Sequence, residues 1–305
     1  MKVFIKAVTG GVAFLAVLTG LGIFFTNKIM YIKKKTEEEI LQNEIRRKFF
    51  DWNEFESLNK EEVWIDSLFG YKIHGYYIPV ENSKKYMIIC HGVTVNKMNS
   101  VKYCNLFLRR GFNVLIYDHR RHGLSGGKTT SYGYYEKHDL KSVVDWMKSR
   151  FGADIILGIH GESMGAATLL QYAGTVEDGA TFYIADCAYS DFYEQLASRL
   201  KIEFKLPKWP ILPIASIVLK LRDGYTIKEV SPIKSIKNIH SPVLFIHSKP
   251  DDYITYKMTE RLYKEKEGPK QLYLAERGLH ALSYVENREE YEQVIDSFLK
   301  EYVQS

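Results

Sequence analysis

A serine hydroxyl attacks a carbonyl only when a base removes its proton, and one segment of this chain sets a serine where that chemistry could run. Residues 157–170 read LGIHGESMGAATLL, with Glu162, Ser163 and Met164 between Gly161 and Gly165 and apolar residues on both sides. A strand ending near Ile159, a turn over GESMG and a helix opening at AATLLQYA would make a nucleophile elbow. Glycines flank such a turn because it is strained and because strand and helix approach closely. Ser163 would then stand out of the packed layer. The backbone N–H of Met164, at the helix start, would face the oxygen that becomes negative during attack.

The base and its orienting carboxylate should follow in the order serine, acid, histidine. Three histidines come after Ser163. His240 and His247 lie before or within PVLFIH, an expected strand, where a packed, hydrogen-bonded imidazole is the ordinary arrangement. His280, in AERGLHALSY after the last expected strand, falls on a loop at the carboxyl edge of the sheet and is the expected base. Asp251 and Asp252 follow PVLFIHSKP at the end of the preceding strand, and either could orient the imidazole. Glu162 is too near Ser163 in sequence for that task and is read as tuning the entrance. A second donor to the oxyanion should come from HGVTVN, residues 91–96, at the end of YMIIC. There Gly92 would permit a sharp turn, the N–H of Val93 would donate with Thr94 in reserve, and His91 would fix the loop by hydrogen bonding.

These side chains need a sheet to hold them at one edge. From Val63 onward, β-branched and aromatic runs alternate with helical patterns. VWIDSLFGYKIHGYYI reads as a hairpin turning near Phe69 and Gly70, and residues 86–90, 113–118, 154–159, 180–186, 242–247 and 270–275 read as buried strands. In 136–148, Leu140, Val143, Val144 and Met147 share one helix face. Such alternation predicts an α/β fold with a mostly parallel central sheet and helices on both faces. The interval between Ser190 and Pro242 is too long for a simple crossover. Its segment KLPKWPILPIASIVLKLRDGY carries three prolines and many apolar residues, and reads as a small helical cap at about 191–235, roofing the carboxyl ends of the strands.

Ahead of this domain, residues 7–27 carry no charge and are rich in Val, Leu, Ile, Phe and Gly, which predicts an uncleaved, single-pass N-terminal transmembrane helix. Lysines flank both of its ends, so charge leaves open the side of the membrane on which the domain would sit. KKKTEEEILQNEIRRKFF mixes both charge signs at helical spacing and predicts a polar, solvated helical stem. The expected organisation is an anchor with its flanks over 1–35, a stem over 36–61 and the catalytic domain over 62–305.

Several function classes are disfavoured by composition. The net charge of +5 over 305 residues is spread without a basic block, so no nucleic-acid footprint is read. Cys90, Cys104 and Cys187 form no CxxC pair, and their apolar surroundings favour buried thiols. DHRRHGLS clusters Asp118, His119 and His122, but companion ligands at metal-site spacing are missing and Arg120 and Arg121 would repel a cation. A polar loop locking two strand ends is the expectation there.

Taken in order, the HG pair at His91 and Gly92, DxRxxGxS from Asp118 to Ser125, GESMG around Ser163, HxxxD from His247 to Asp251 and the late His280 resemble the α/β-hydrolase superfamily. The likeness is to its serine aminopeptidase-like and prolyl-oligopeptidase-like branches, in particular bacterial membrane-anchored members, and covers roughly 62–303. It implies the α/β-hydrolase fold, a triad of Ser163, Asp251 and His280, and an acyl-enzyme mechanism. Two positions depart from the pattern: Ser248 stands where glycine usually follows the histidine, and Thr255 where proline is common. The resulting expectation is a membrane-anchored serine hydrolase cleaving a carboxylic ester-like bond of a small-molecule substrate, with Val93 and Met164 as oxyanion donors and neither metal nor organic cofactor. A peptidase or a thioesterase would use the same machinery. A non-catalytic binding protein that kept the fold is the alternative from another class.

Overall fold

The computed structural model of the chain describes residues 2–46 and 52–303, with side chains from residue 16 onward. Its central sheet begins with a hairpin of β1 (Glu61–Asp66) and β2 (Lys72–Ile78), closed by a turn in which Gly70 has φ 78°. Six further strands are β3 (Lys85–Cys90), β4 (Phe112–Tyr117), β5 (Ile156–Glu162), β6 (Phe182–Asp186), β7 (Val243–Ser248) and β8 (Lys270–Ala275). The order across the sheet is β1-β2-β4-β3-β5-β6-β7-β8. β2 pairs antiparallel with β1 and β4, and every later pair is parallel.

The strands alternate their side chains between two cores, as a period of two requires. Tyr86, Ile88 and Cys90 of β3 join one apolar cluster, while Met87 and Ile89 join the other. The first cluster is closed by α5 (Glu136–Phe151), through the predicted face of Leu140, Val143, Val144 and Met147, together with α6 (Met164–Thr175) and α9 (Tyr256–Glu265). The second is covered by α2 (Glu37–Arg46), α3 (Trp52–Ser57), α4 (Val101–Leu108), α10 (Ser283–Glu286) and α11 (Arg288–Tyr302). A third cluster joins α1 (Lys2–Met30) to two helices between β6 and β7, α7 (Phe192–Phe204) and α8 (Ile211–Asp223).

Two expectations near the N-terminus change. Among the described residues no helix is long and apolar enough to cross a membrane. That finding overturns the single-pass anchor over 7–27, with the membrane localisation and membrane partnership read from it. The end of α1 has a different use for its apolar residues. Phe25, Ile29 and Met30 are buried in the third cluster, and a Cβ on Gly22 would come within 2.5 Å of Val218, so the two helices are in close contact. Arg222 of α8 donates to Thr26 Oγ1 at 2.5 Å and to Asn27 Oδ1 at 2.8 Å, satisfying the polar residues of the same turn.

The stem helix is not solvated all round either. Thr36 and Glu39 form a reciprocal cap at the start of α2, since each side chain accepts from the other's backbone N–H. The helix then lies on the loop after β3: Ile40 and Glu44 are buried, Lys35 N–H donates to Thr94 O at 2.8 Å, and Asn99 Nδ2 donates to Glu44 Oε1 at 3.1 Å. Residues 47–51, which carry the end of the predicted stem pattern, fall outside the described residues.

Candidate active site

The strand before Ser163 runs further than its apolar run suggests. β5 continues to Glu162, because Gly161 and Glu162 keep pairing with Ala185 and Asp186 of β6, and α6 starts at Met164. The whole reversal is therefore made at Ser163, whose φ of 57° and ψ of −113° lie outside the regions an L-residue favours. The surrounding bonds hold it there: Ser163 N–H donates to Asp186 O at 2.8 Å and Ser163 O accepts from Ala167 N–H at 3.0 Å. The flanking glycines permit the contact between strand and helix. A Cβ on Gly161 would fall 2.5 Å from the carbonyl carbon of Gly165, and one on Gly165 only 2.1 Å from the carbonyl oxygen of Cys90.

Three separate loops converge on this serine. His280 follows β8 on a segment where Gly278 and Ala281 both have positive φ, and its Nε2 lies 2.9 Å from Ser163 Oγ. Asp251 follows β7, and its Oδ2 lies 2.7 Å from His280 Nδ1. Asp251 Oδ1 accepts from the N–H groups of Tyr253 and Ile254, each at 2.9 Å. Burial alone would raise the pKa of this carboxyl, but hydrogen bonds from His247 and His280 hold it well below the usual carboxylate range. The neighbouring Asp252 is exposed. His240 is exposed at the start of the β7 segment, while His247 is buried with Nδ1 2.7 Å from Thr259 Oγ1.

The loop after β3 closes the other side of the cleft. Gly92, Val93 and Thr94 line it together with Ser163 and His280, in a volume of about 390 Å³. Met164 is the first residue of α6, so its N–H has no acceptor within the helix. Gly92 is not the residue that turns this loop. Its φ is ordinary and Thr94 has the positive φ of 72°; a Cβ on Gly92 would lie 3.6 Å from Ser163 Cβ and narrow the cleft. His91 donates from Nδ1 to Gly92 O at 2.6 Å and accepts at Nε2 from His119 N–H at 2.9 Å. Burial lowers its pKa to about 3, so the ring stays neutral with a defined tautomer.

In the DHRRHGLS segment, Asp118 accepts from Lys97 N–H at 2.9 Å, from Lys97 Nζ at 3.1 Å and from Leu124 N–H at 3.0 Å. Ser125 Oγ donates to Asp118 O at 2.6 Å and accepts from His74 N–H at 2.8 Å, which ties the end of β4 to β2. Among the described residues, Cys187, Asp251 and His280 bring potential ligand atoms within 4.8 Å of one another. Burial pushes the Cys187 thiol up, so it is held as the protonated, weakly ligating form, and both other groups are engaged with each other. The three cysteines are free and buried.

Several cleft residues escape sequence reasoning. Glu162 is buried rather than placed at an entrance, with Oε2 2.5 Å from Lys102 Nζ and accepting from Tyr103 OH at 2.7 Å. A single lysine inside the mostly apolar helix VKYCNLFL is the signal that could have pointed to a buried acid partner. Lys35, Asn43 and Glu44 bring the N-terminal segment and α2 into the cleft wall, and the Tyr253 ring lies tilted at 44° to His280 with centroids 5.0 Å apart.

Similarity to known proteins agrees with this architecture. A profile of the X-Pro dipeptidyl-peptidase (S15) family matches residues 34–204. The chain is 53% identical over 288 residues to the uncharacterized protein YqkD of Bacillus subtilis (strain 168), covering 94% of each chain. It is 25% identical over 193 residues to the human alpha/beta hydrolase domain-containing protein 17B, covering 62% of this chain and 57% of that one. The solved structure of an esterase from Pyrococcus furiosus matches with a TM-score of 0.68 at 24% identity, over 84% of this chain and 96% of that chain, which shows a common fold.

Proposed function

We propose that this chain, which belongs to the X-Pro dipeptidyl-peptidase (S15) family of the α/β-hydrolase superfamily, is a serine hydrolase that cleaves a carboxylic ester-like bond through an acyl-enzyme on Ser163. One observation carries the reading: a continuous hydrogen-bonded line from Ser163 Oγ to His280 Nε2 at 2.9 Å and from His280 Nδ1 to Asp251 Oδ2 at 2.7 Å. An ionised Asp251 keeps the imidazole proton on Nδ1, which leaves the Nε2 lone pair facing the serine.

In the first half-reaction His280 Nε2 takes the Ser163 proton as Oγ bonds to the acyl carbon. The N–H groups of Val93 and Met164 hold the oxyanion, and the leaving alcohol departs with the proton from His280. In the second half, His280 deprotonates a water, which attacks the acyl carbon, and the proton returns to Ser163 as the carboxylic acid leaves. Asp251 stabilises the imidazolium in both halves. In this account residues 62–305 form the hydrolase domain and residues 191–235, with α7 and α8, its partial cap.

The S15 profile favours a second reading, a peptidase acting through the same three groups. Purified protein assayed against p-nitrophenyl esters, acyl thioesters and aminoacyl or X-Pro p-nitroanilides separates them. Esters should turn over fastest. Faster turnover of an anilide than of every ester would transfer the assignment to the peptidase.

A further inference from the structure

Beside the catalytic cleft lies a second concavity, about 700 Å³, within the range of roughly 300–1,000 Å³ in which small-molecule sites fall. It runs between α1, α7 and α8. Its buried lining residues, Phe25, Ile29, Leu200, Leu212 and Ala215, are all apolar, and the exposed rings of Phe24 and Phe204 continue it outward. Of the charged residues of its lining, Lys28, Lys33 and Glu203 are exposed and Arg199 is half-buried.

Tyr253 belongs to both spaces. It lines this groove and the cleft at Ser163, packs near the ring of His280, and has the Arg199 guanidinium over its ring, 4.4 Å from the centroid. The two spaces differ in chemistry. Lys35, Asn43, Glu44, Lys102 and Glu162 bring charged and amide groups to the cleft, whereas the buried floor of the groove offers only apolar surface and its charged side chains lie outside that floor. A substrate whose carbonyl sits at Ser163 and whose two ends differ in polarity meets both surfaces at once.

We propose that the groove between α1, α7 and α8 receives the aliphatic acyl chain of the substrate, which passes Tyr253 to reach it, while the polar leaving group occupies the cleft. This rests on the serine hydrolase reading and adds the class of acid it acts on, a medium- or long-chain aliphatic acid. It also gives the N-terminal helix a part in substrate recognition.

The test is kcat/KM for p-nitrophenyl acetate, butyrate, octanoate and dodecanoate, each below its micellar concentration, with the full chain and with Leu196→Trp and Phe204→Asp. Leu196 lines the groove half-buried on α7 and Phe204 is exposed, so both variants alter the groove rather than the core, and circular dichroism checks both. For the unaltered chain, kcat/KM should rise by up to about fourfold per methylene until the groove is full. Both variants should lose that rise and keep acetate hydrolysis within about twofold. Acetate hydrolysis with a flat chain-length profile, as a groove built for a partner's helix would give, overturns the groove assignment alone. Equal losses on acetate and octanoate in the variants overturn it as well. A protein that hydrolyses no ester overturns the function beneath it too.

Discussion

His247 Nε2 lies 3.0 Å from Asp251 Oδ2, the same oxygen that stands 2.7 Å from His280 Nδ1. His247 Nε2 is also 2.8 Å from Ile254 O, which can only accept, so this nitrogen carries a proton. Asp251 thus receives two imidazole N–H groups on one oxygen and two backbone N–H groups on the other. Such a carboxylate is fixed in position and in charge.

His247 is therefore a positioning residue that acts through Asp251. Replacing it in His247→Phe removes a hydrogen bond to a charged group, typically about 1.5–3 kcal/mol. Expressed in the barrier, that is about a ten- to hundredfold fall in kcat with KM little changed. The stability lost below about pH 4, read as urea midpoints against pH, should also shrink, because Asp251 would no longer be held as far below the usual carboxylate range. An unaltered pH profile would reduce His247 to packing.

Asp186 carries the opposite kind of shift. Burial, reinforced by the nearby Glu162 charge, raises its pKa to about 7, and among the described residues only the hydroxyls of Ser283 and Tyr291 are in hydrogen-bond reach of its carboxyl oxygens. Between the unfolded value of about 4 and the folded value of about 7, the folded chain binds the extra proton, so stability falls as pH rises through that window. Asp251, held low, contributes stability above about pH 4 that is lost only in stronger acid, so the two windows do not overlap. The buried neutral rings of His91, His119, His122 and His160 work the other way, because the unfolded chain takes up their protons below about pH 6.5. The test is therefore a difference between chains: from pH 8 to pH 5 the urea midpoint should fall further in Asp186→Asn than in the unaltered chain. Parallel profiles would contradict the assignment.

Glu162, next to Ser163 in the chain, and Lys102 are a buried ion pair, with both side chains 4% exposed. Lys102→Met would leave the carboxylate unpaired and should cost about 3–5 kcal/mol of stability, measured by urea unfolding. Adding Glu162→Gln should restore at least half of that loss. A double variant no more stable than the single one would show that the charge pairing is not what the lysine supplies.

How much of this was legible in the sequence differs from element to element. The alternating strands and the Leu140 face of α5 were readable because local periodicity and final packing agree. Ser163, the Asp251–Asp252 pair and His280 could be read as neighbours because each follows a recognisable strand and parallel strands deliver their following loops to one edge, while the choice of Asp251 came from the family resemblance. Gly161 and Gly165 were readable for the close approach they permit. Gly92 was not: its neighbour Thr94 takes the left-handed conformation, and no composition rule separates the two. The extension of β5 to Glu162 depends on pairing with β6, a nonlocal cause. The apolar stretch of α1 reads identically whether its partner is lipid or α8, and only the packing of Phe25, Ile29 and Met30 distinguishes them. Likewise, the mixed charges of α2 give no hint that Ile40 and Glu44 turn inward.

The most direct test of the account is labelling of the folded full-length chain by a fluorophosphonate probe, beside Ser163→Ala and His280→Ala. The account predicts stoichiometric labelling at Ser163, none in Ser163→Ala, labelling slowed by at least about a thousandfold in His280→Ala, and ester hydrolysis reduced in parallel by about 10⁴-fold or more. A correctly folded chain that leaves the probe unreacted, or labelling that persists in Ser163→Ala, would contradict it.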